Sequence, residues 1–436
     1  MKLYAIYYSG IRADAGIRSA VEVEDEMNSA KDEIGFRLAY ASKTEHLVIG
    51  LMSGTSLDGV DAALVRIATG TDRRVASVNL VGRAYIPYSD AMRSRVAALC
   101  SLDSARVDDL TYAHYGLSEW YARAVSLVLG AAHVSAAEVD AISMHGQTVW
   151  HAPQPRPFPG PDGDIPVVGT LQLGSAAVLR ERTGIPVIAD LRARDMAAGG
   201  EGAPLAPYID AILFGSKTEG RIVQNIGGIG NATVVPAAAD TEGILAFDTG
   251  PGNMLIDAVV AAGTGGSERF DPAGSYAAKG RVAETVVARL MADPYFARRP
   301  PKSTGREVYG AAFARVFIEE TTAAGLGFED QVATATAFTA ASIAAAYKDF
   351  ILPSTPVSTV IVAGGGALNS TLLRMIAQRL PADIRVVAAS ALGVPDEARE
   401  AMAFAVIGHE SLMGRPANLP AVTGARTPVV LGSITL

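Results

Sequence analysis

Apolar residues in this chain come in short runs separated by glycine-rich polar turns, and one such layout occurs twice. Leu47 to Leu51 is an apolar run of strand length, Ser53 to Gly59 a turn of hydroxyl and glycine residues, and Ala62 to Ile67 a second apolar run. The pattern predicts strand, turn, strand. Near the middle, Arg221-Ile-Val-Gln-Asn-Ile-Gly-Gly-Ile-Gly-Asn-Ala-Thr-Val-Val235 repeats the plan. Each hairpin opens roughly half of the chain beyond the first 45 residues, so the sequence reads as a duplicated architecture whose two turns face a shared cleft.

The segments between alternate in type. Ala91 to Ala132 reads as helical, and Val139 to Met144 as a buried strand that ends at His145-Gly-Gln-Thr-Val-Trp-His151. Ala152 to Pro166 holds too many prolines for a helix or a central strand and predicts a loop. Helix Ser175 to Thr183 and strand Pro186 to Ala189 lead into Asp190 to Pro207, a polar glycine-rich stretch predicted as a long loop. Loops of that length inside compact domains tend to carry function. In the second half, strand Ile244 to Phe247 ends in Asp248-Thr-Gly-Pro-Gly-Asn253, followed by helix Met254 to Ala262. Helices are predicted over Ala277–Met291, Gly310–Thr322 and the Ala-rich Ala333–Tyr347. Strand Val357 to Val362 then runs into Ala363-Gly-Gly-Gly-Ala-Leu-Asn369 and helix Ser370 to Arg379. The class is α/β, and strand ends that pass through glycine into helices are where α/β ligands bind.

Length adds two domains as the expectation, since 436 residues exceed one ordinary core. At 49% hydrophobic and 19% charged residues the chain is globular. A formal net charge of -8 argues against nucleic acid or an anionic membrane as partner. The lone cysteine, Cys100, reads as a bland buried thiol and suits a reducing cytoplasm. Residues 1–45 alternate apolar pieces with charge and lack a secretory apolar core, and Ala333–Tyr347 is too short and too polar to span a bilayer. A soluble cytoplasmic protein is expected, with residues 1–45 an appended piece without a catalytic role.

Candidate chemistry arises at the turns. Glycines let the backbone approach a ligand, and hydroxyls with free N–H groups hold phosphate oxygens. A carboxylate in such a turn, Asp58, suits phosphate only with a cation between them, which suggests a nucleoside triphosphate with Mg²⁺. Asp248 at a strand end is placed to accept a proton, or else to cap the following helix. Gly364, Gly365 and Gly366 would let a flat base lie on the backbone, or let helix and strand pack tightly. Arg192 and Arg194 suit a carboxylate ligand. His145 and His151 match no metal-ligand spacing and read as hydrogen-bonding groups. No Walker A, protein-kinase loop or G-x-S-x-G elbow is present.

Taken in order, Met52-Ser-Gly-Thr-Ser-Leu-Asp-Gly-Val-Asp61, His145 to His151, Gly199-Gly-Glu-Gly-Ala-Pro-Leu205, Asn225-Ile-Gly-Gly-Ile229, Phe247 to Asn253, Pro301-Lys-Ser-Thr-Gly-Arg-Glu307, Gly364 to Gly366 and Asn418-Leu-Pro-Ala-Val-Thr-Gly424 closely resemble the anhydro-N-acetylmuramic acid kinase family. The resemblance covers Leu47 to the C-terminus. It implies the two-domain, ribonuclease H-like fold of actin and hexokinase, with ATP in the interdomain cleft. The expected domains are 46–220 and 221–436, with the C-terminal segment packing back on the first. It implies that Asp248 activates water to open the 1,6-anhydro bridge while O6 takes the γ-phosphate. Gly54, Thr55, Ser56, Leu57, Asp58, Gly59, Val60 and Asp61 would bind ATP, with Asp58 near Mg²⁺. Asn225, Gly227 and Gly228 would form the second phosphate turn, with Gly364, Gly365 and Gly366 beside it. Gln147, Thr148, Arg192, Arg194 and Glu400 are the sugar-pocket candidates, and a homodimer is implied. Competing readings are the same fold with another acceptor, or a silent ATP or sugar sensor.

Overall fold

A computed structural model describes residues 32–238 and 243–436. Two compact units divide the chain between Lys43 and Thr44. In the first, residues 32–42 are helical, and the rings of Phe36 and Tyr40, one turn apart, lie tilted at 46° with centroids 6.3 Å apart. Residues 1–31 of the predicted N-terminal extension lie outside the described residues.

The second unit is built on two sheets. The first half contributes β1 (Glu45–Ser53), β2 (Gly59–Thr69), β3 (Val75–Pro87), β4 (Ala141–Gly160), β5 (Gly163–Leu173) and β6 (Val187–Ala189). The second contributes β7 (Arg221–Ile226), β8 (Ile229–Val235), β9 (Leu245–Pro251), β10 (Thr359–Ala363) and β11 (Arg385–Ala388), and β12 (Ser433–Thr435) closes the chain. Strand order in the first sheet is β12-β6-β4-β1-β2-β3, and in the second β11-β10-β7-β8-β9. In each, an antiparallel meander of three strands is followed by two strands parallel to its first. β1-β2-β3-β4-β6 and β7-β8-β9-β10-β11 therefore trace the same path. The duplication inferred from two hairpins is a duplication of whole ribonuclease H-like sheets.

Continuous apolar runs bury both faces of the central strands. Ile49, Leu51, Leu64, Ile142 and Val187 meet the long helix α1 (Val107–Ala132) through Leu117, Tyr121 and Val128. In the second sheet Ile222, Val234 and Val360 pack with Ala340 and Tyr347 of α5 (Phe328–Phe350). The short helices α2 (Ala193–Ala197) and α3 (Ala206–Phe214) join the halves, α4 (Met254–Gly263) follows β9, and α6 (Ser370–Ala377) follows β10. Helix α7 (Asp396–Leu412), drawn from the second half of the sequence, lies on the first sheet. Gly50 makes that possible: a Cβ there would stand 1.8 Å from the Ala401 carbonyl oxygen.

Four expectations change. The proline-rich segment 152–166 is not a loop but the tip of the β4–β5 hairpin, with Pro157 opposite Pro166. Its strands pair only with each other there, so prolines meet the edge tolerance that a central strand lacks. Asp190–Pro207 contains α2 and the start of α3, because Asp195 pins it from inside. Over Ala277–Met291 only Glu284–Leu290 is helical, since Asp330 and Thr334 hydrogen-bond the amides of Arg281 and Ala283 and hold that backbone extended. β9 runs on to Pro251, so Asp248 sits mid-strand, where a register shift accommodates Thr249 between the Gly230–Gly250 and Asn231–Asp248 pairs. Bulges of this kind re-aim a neighbouring side chain.

Candidate active site

The first turn, Gly54–Asp58, is fastened from several sides. The Tyr88 N–H and Tyr85 hydroxyl donate to the Asp58 carbonyl at 2.8 and 3.0 Å. The Ser56 hydroxyl donates to Asp58 Oδ1 at 2.7 Å, and Arg93 Nε to the Leu57 carbonyl at 3.2 Å. Leu57 is held at φ +56°, a conformation uncommon for a branched side chain. Thr55 and Ser56 are exposed, whereas Val60 fills the core, so only its backbone is available. Gln147 is fully buried. Its amide donates to the Gly54 carbonyl at 3.0 Å and accepts from Tyr88 at 3.2 Å, so it fixes the turn rather than presenting a free donor. Its neighbour Thr148 is half-buried and accepts from Gln172 at 3.2 Å.

The second turn converges with the glycine triplet. Asn253 N–H donates to the Gly227 carbonyl at 2.7 Å, and its side-chain amide to the Ile226 carbonyl at 3.2 Å. Gly364 has φ +78°, and a Cβ on it would lie 2.9 Å from Asn225 Oδ1; a Cβ on Gly366 would lie 2.5 Å from that of Ile226. Those two glycines serve tight packing. Gly365 faces only the Asn253 amide at 3.4 Å and is the one left open to a ligand.

One helix end touches both halves. Asp396 and Arg399 of α7 are three apart and share a face. Asp396 Oδ1 accepts from Gly364 N–H at 2.8 Å, and Arg399 donates to Asn225 Oδ1 at 3.1 Å and to buried Asp210 of α3. Exposed Glu400, on the neighbouring face, acts electrostatically on Asp61 and Arg192. Burial, then Asp58 and Glu400, raise the Asp61 carboxyl to about 6. With its folded value above the ordinary one, the folded state holds this proton more tightly, so stability falls as pH rises through that window. Asp61→Asn is expected to raise the thermal midpoint at neutral pH and leave it unchanged in acid; equal midpoints at neutral pH would contradict the crowding of carboxylates.

Arg192 is oriented by its neighbours. Its Nε donates to His145 Nε2 at 2.8 Å and a terminal nitrogen to the Gly202 carbonyl at 2.6 Å. His145 Nδ1 meets the Gly146 carbonyl at 2.7 Å, which assigns the proton to Nδ1 and leaves Nε2 to accept. Burial and then Arg192 push this imidazole down to about 3, so it stays neutral. Buried Asp195 accepts from Gly202 N–H, Asn418 and Thr423 at 2.8, 2.6 and 2.7 Å, joining the 199–205 and 418–424 motifs. Arg194 is exposed and is not drawn into this network.

Asp248 is half-buried on β9. Thr304 N–H donates to its Oδ2 at 3.0 Å, and Tyr295 donates to its carbonyl at 2.7 Å. It caps no helix. Burial raises its carboxyl above the ordinary value, the Thr304 N–H lowers it and Glu307 raises it. Sequence pattern does not single out Arg399, Asp210 and Asp396; the spacing of Asp396, Arg399 and Glu400 at one helix start is a signal that could have found the first and last, whereas nothing local marks Asp210.

Paired ribonuclease H-like sheets, each with a glycine turn after its first strand, define the actin and hexokinase class of fold. The chain belongs to the anhydro-N-acetylmuramic acid kinase family, whose profile matches residues 46–436. It is 41% identical over 396 residues to the anhydro-N-acetylmuramic acid kinase of Caldanaerobacter subterraneus subsp. tengcongensis, covering 91% of this chain and 98% of that protein. It is 42% identical over 400 residues to the Salinibacter ruber enzyme of that name, covering 92% and 98%. Among solved structures, component A of the Acidaminococcus fermentans (R)-2-hydroxyglutaryl-CoA dehydratase is similar at 12% identity and a TM-score of 0.41, over 84% of this chain and 99% of that one.

Proposed function

We propose that the protein hydrolytically opens 1,6-anhydro-N-acetylmuramic acid and phosphorylates O6 from ATP, giving N-acetylmuramate 6-phosphate for peptidoglycan recycling and amino-sugar catabolism. The observation that carries this reading is the start of α7, where Asp396 holds the Gly364 amide and Arg399 the Asn225 side chain of the second turn, while exposed Glu400 acts electrostatically on Asp61 and Arg192. Asp248 takes a proton from a water molecule as its oxygen bonds to the anomeric carbon. The bond from that carbon to O6 breaks, and O6 forms a bond to the γ-phosphorus as the bridge to ADP breaks. Phosphoryl transfer asks chiefly for positioning and charge stabilisation. Backbone N–H groups of 54–61 and 225–228 would hold the phosphates, and Arg192 the lactyl carboxylate, near Thr148 and Glu400.

Mg²⁺ fits the donor set. Asp58 and Asp61 would offer it carboxylate oxygens, Asp61 being the one on which both Asp58 and Glu400 act, and Mg²⁺ takes one or two carboxylates together with substrate phosphates. When bound it would neutralise charge developing on the phosphates. Among the described residues no group of three or more His, Cys, Asp or Glu makes a ready cage. None of the described helices is long and apolar enough to cross a membrane. We place the protein in the cytoplasm, acting as a homodimer without nucleic-acid or membrane partners, with domains 46–220 and 221–436 closing on the substrates.

The test incubates the protein with Mg-ATP and the anhydro sugar in ¹⁸O-labelled water. Label at the anomeric position and phosphate on O6 are expected; ADP without sugar phosphate rejects the reading. Arg192→Lys keeps the charge but loses the planar fork held by His145 and Gly202. We expect the sugar KM to rise about tenfold, the loss of one charged hydrogen bond, with nucleotide KM unchanged. An unchanged sugar KM would remove Arg192 from the sugar pocket.

A further inference from the structure

The segment 295–304 carries a buried cation that takes no part in the proposed reaction. Lys302 is 5% exposed. Its ammonium donates to the carbonyls of Tyr295 and Phe296, both at 3.2 Å. It lies 4.7 Å from the Tyr295 ring centroid, 4.8 Å from that of Phe350 and 5.9 Å from that of Phe247. Burying an ammonium is costly unless something answers its charge, and three aromatic faces with two carbonyls do so here. The backbone on either side of this anchor is what holds Asp248. The Lys302 carbonyl accepts from Asp248 N–H at 3.1 Å, the Thr304 N–H donates to Asp248 Oδ2 at 3.0 Å, and the Tyr295 hydroxyl donates to the Asp248 carbonyl at 2.7 Å. Phe247, whose ring faces the ammonium, is the residue before Asp248.

We infer that Lys302, caged by Phe247, Tyr295 and Phe350, is a positioning residue that clamps segment 295–304 onto β9 and so aims the Asp248 carboxylate, with the Tyr295 hydroxyl as its second fastening. This rests on Asp248 being the base. The clamp explains the motif Pro301-Lys-Ser-Thr-Gly-Arg-Glu307, which has no role in the proposed reaction itself. It also explains why a cation sits where leucine would pack more cheaply: a directional ammonium fixes the carbonyls at 295 and 296, which an alkyl group does not.

The experiment compares Lys302→Met, of similar length and uncharged, with Tyr295→Phe, which deletes one hydroxyl. For Lys302→Met, kcat is expected to fall about 10- to 100-fold, the usual penalty for misaiming a reacting group, with nucleotide KM within about twofold. Since the Thr304 N–H lowers the Asp248 carboxyl, loosening it should move the acid limb of kcat/KM to higher pH. Tyr295→Phe should show the same displacement with a smaller fall. A fall in kcat with an unmoved acid limb in both variants means a merely structural lysine and overturns the inference. If Lys302→Met fails to fold, Tyr295→Phe decides: a moved limb supports the clamp and an unmoved one overturns it. Asp248→Asn, assayed alongside, separates the premises, because a near-normal rate there removes the base itself and not only its clamp.

Discussion

Asp248→Asn should abolish sugar phosphorylation, with kcat lower by about 10²–10⁴-fold, the usual worth of a general base, and nucleotide binding retained. Asparagine has the same shape, and its Oδ1 can still accept from Thr304 N–H, so the loop at 302–304 should hold. What disappears is a group able to take the water proton. Burial raises the Asp248 carboxyl in the wild type, so kcat/KM should fall on acidification at a higher pH than for an unperturbed aspartate. The same raised value means that the ionised side chain destabilises the folded state once pH has risen through it. The Asn variant should therefore melt no lower than wild type at neutral pH while being inactive. Sugar phosphate formed at near-wild-type rates would remove the base assignment, and a variant melting well below wild type at neutral pH would contradict the raised carboxyl.

Arg399→Leu should be the most destabilising single change near the cleft. Its guanidinium is the partner of Asp210, which is 4% exposed and, among the described residues, also accepts from the Thr233 hydroxyl at 3.0 Å. Removing one partner of a buried ion pair costs about 3–5 kcal/mol because the other charge is stranded. Total stabilities are about 5–15 kcal/mol, so the loss is a large share. Replacing both members, Arg399→Leu with Asp210→Leu, should recover most of the thermal midpoint, since an apolar pair of similar volume is often neutral. Nucleotide KM should not recover, because Asn225 has lost its donor in both variants. Calorimetry and nucleotide titration on the single and double variants check this. A single variant as stable as wild type would show that Asp210 is not dependent on Arg399, and a double variant with normal nucleotide KM would show that Asn225 needs no anchor.

Much of this protein is local and therefore written in order along the chain. Strand and helix identity come from apolar runs and their periods, so β1, β2, β7, β8, β10 and α6 lie where the pattern puts them. Both turns arise from glycine and hydroxyl residues whose backbone freedom needs no distant partner. The order of motifs was enough to identify the family. The hairpin at 152–166 misled because prolines forbid a central strand but tolerate a pair of strands bonded only to each other. Segment 190–207 misled because Asp195, which organises it, draws its partners from Asn418 and Thr423, more than two hundred residues away in the chain.

What only the tertiary structure decided is where groups remote in sequence meet. That α7 returns to the first sheet depends on a glycine at position 50, and nothing near 396–412 announces it. Arg399 could have been a solvated helix residue; Asp210 and Asn225, from two other elements, make it a buried strut. Lys302 reads as a loop lysine until Phe247 and Phe350 close around it. Periodicity and turn chemistry act over a few residues and survive in one dimension. Burial, charge pairing and the aim of a carboxylate depend on neighbours supplied by folding, and they exist only once the chain has closed.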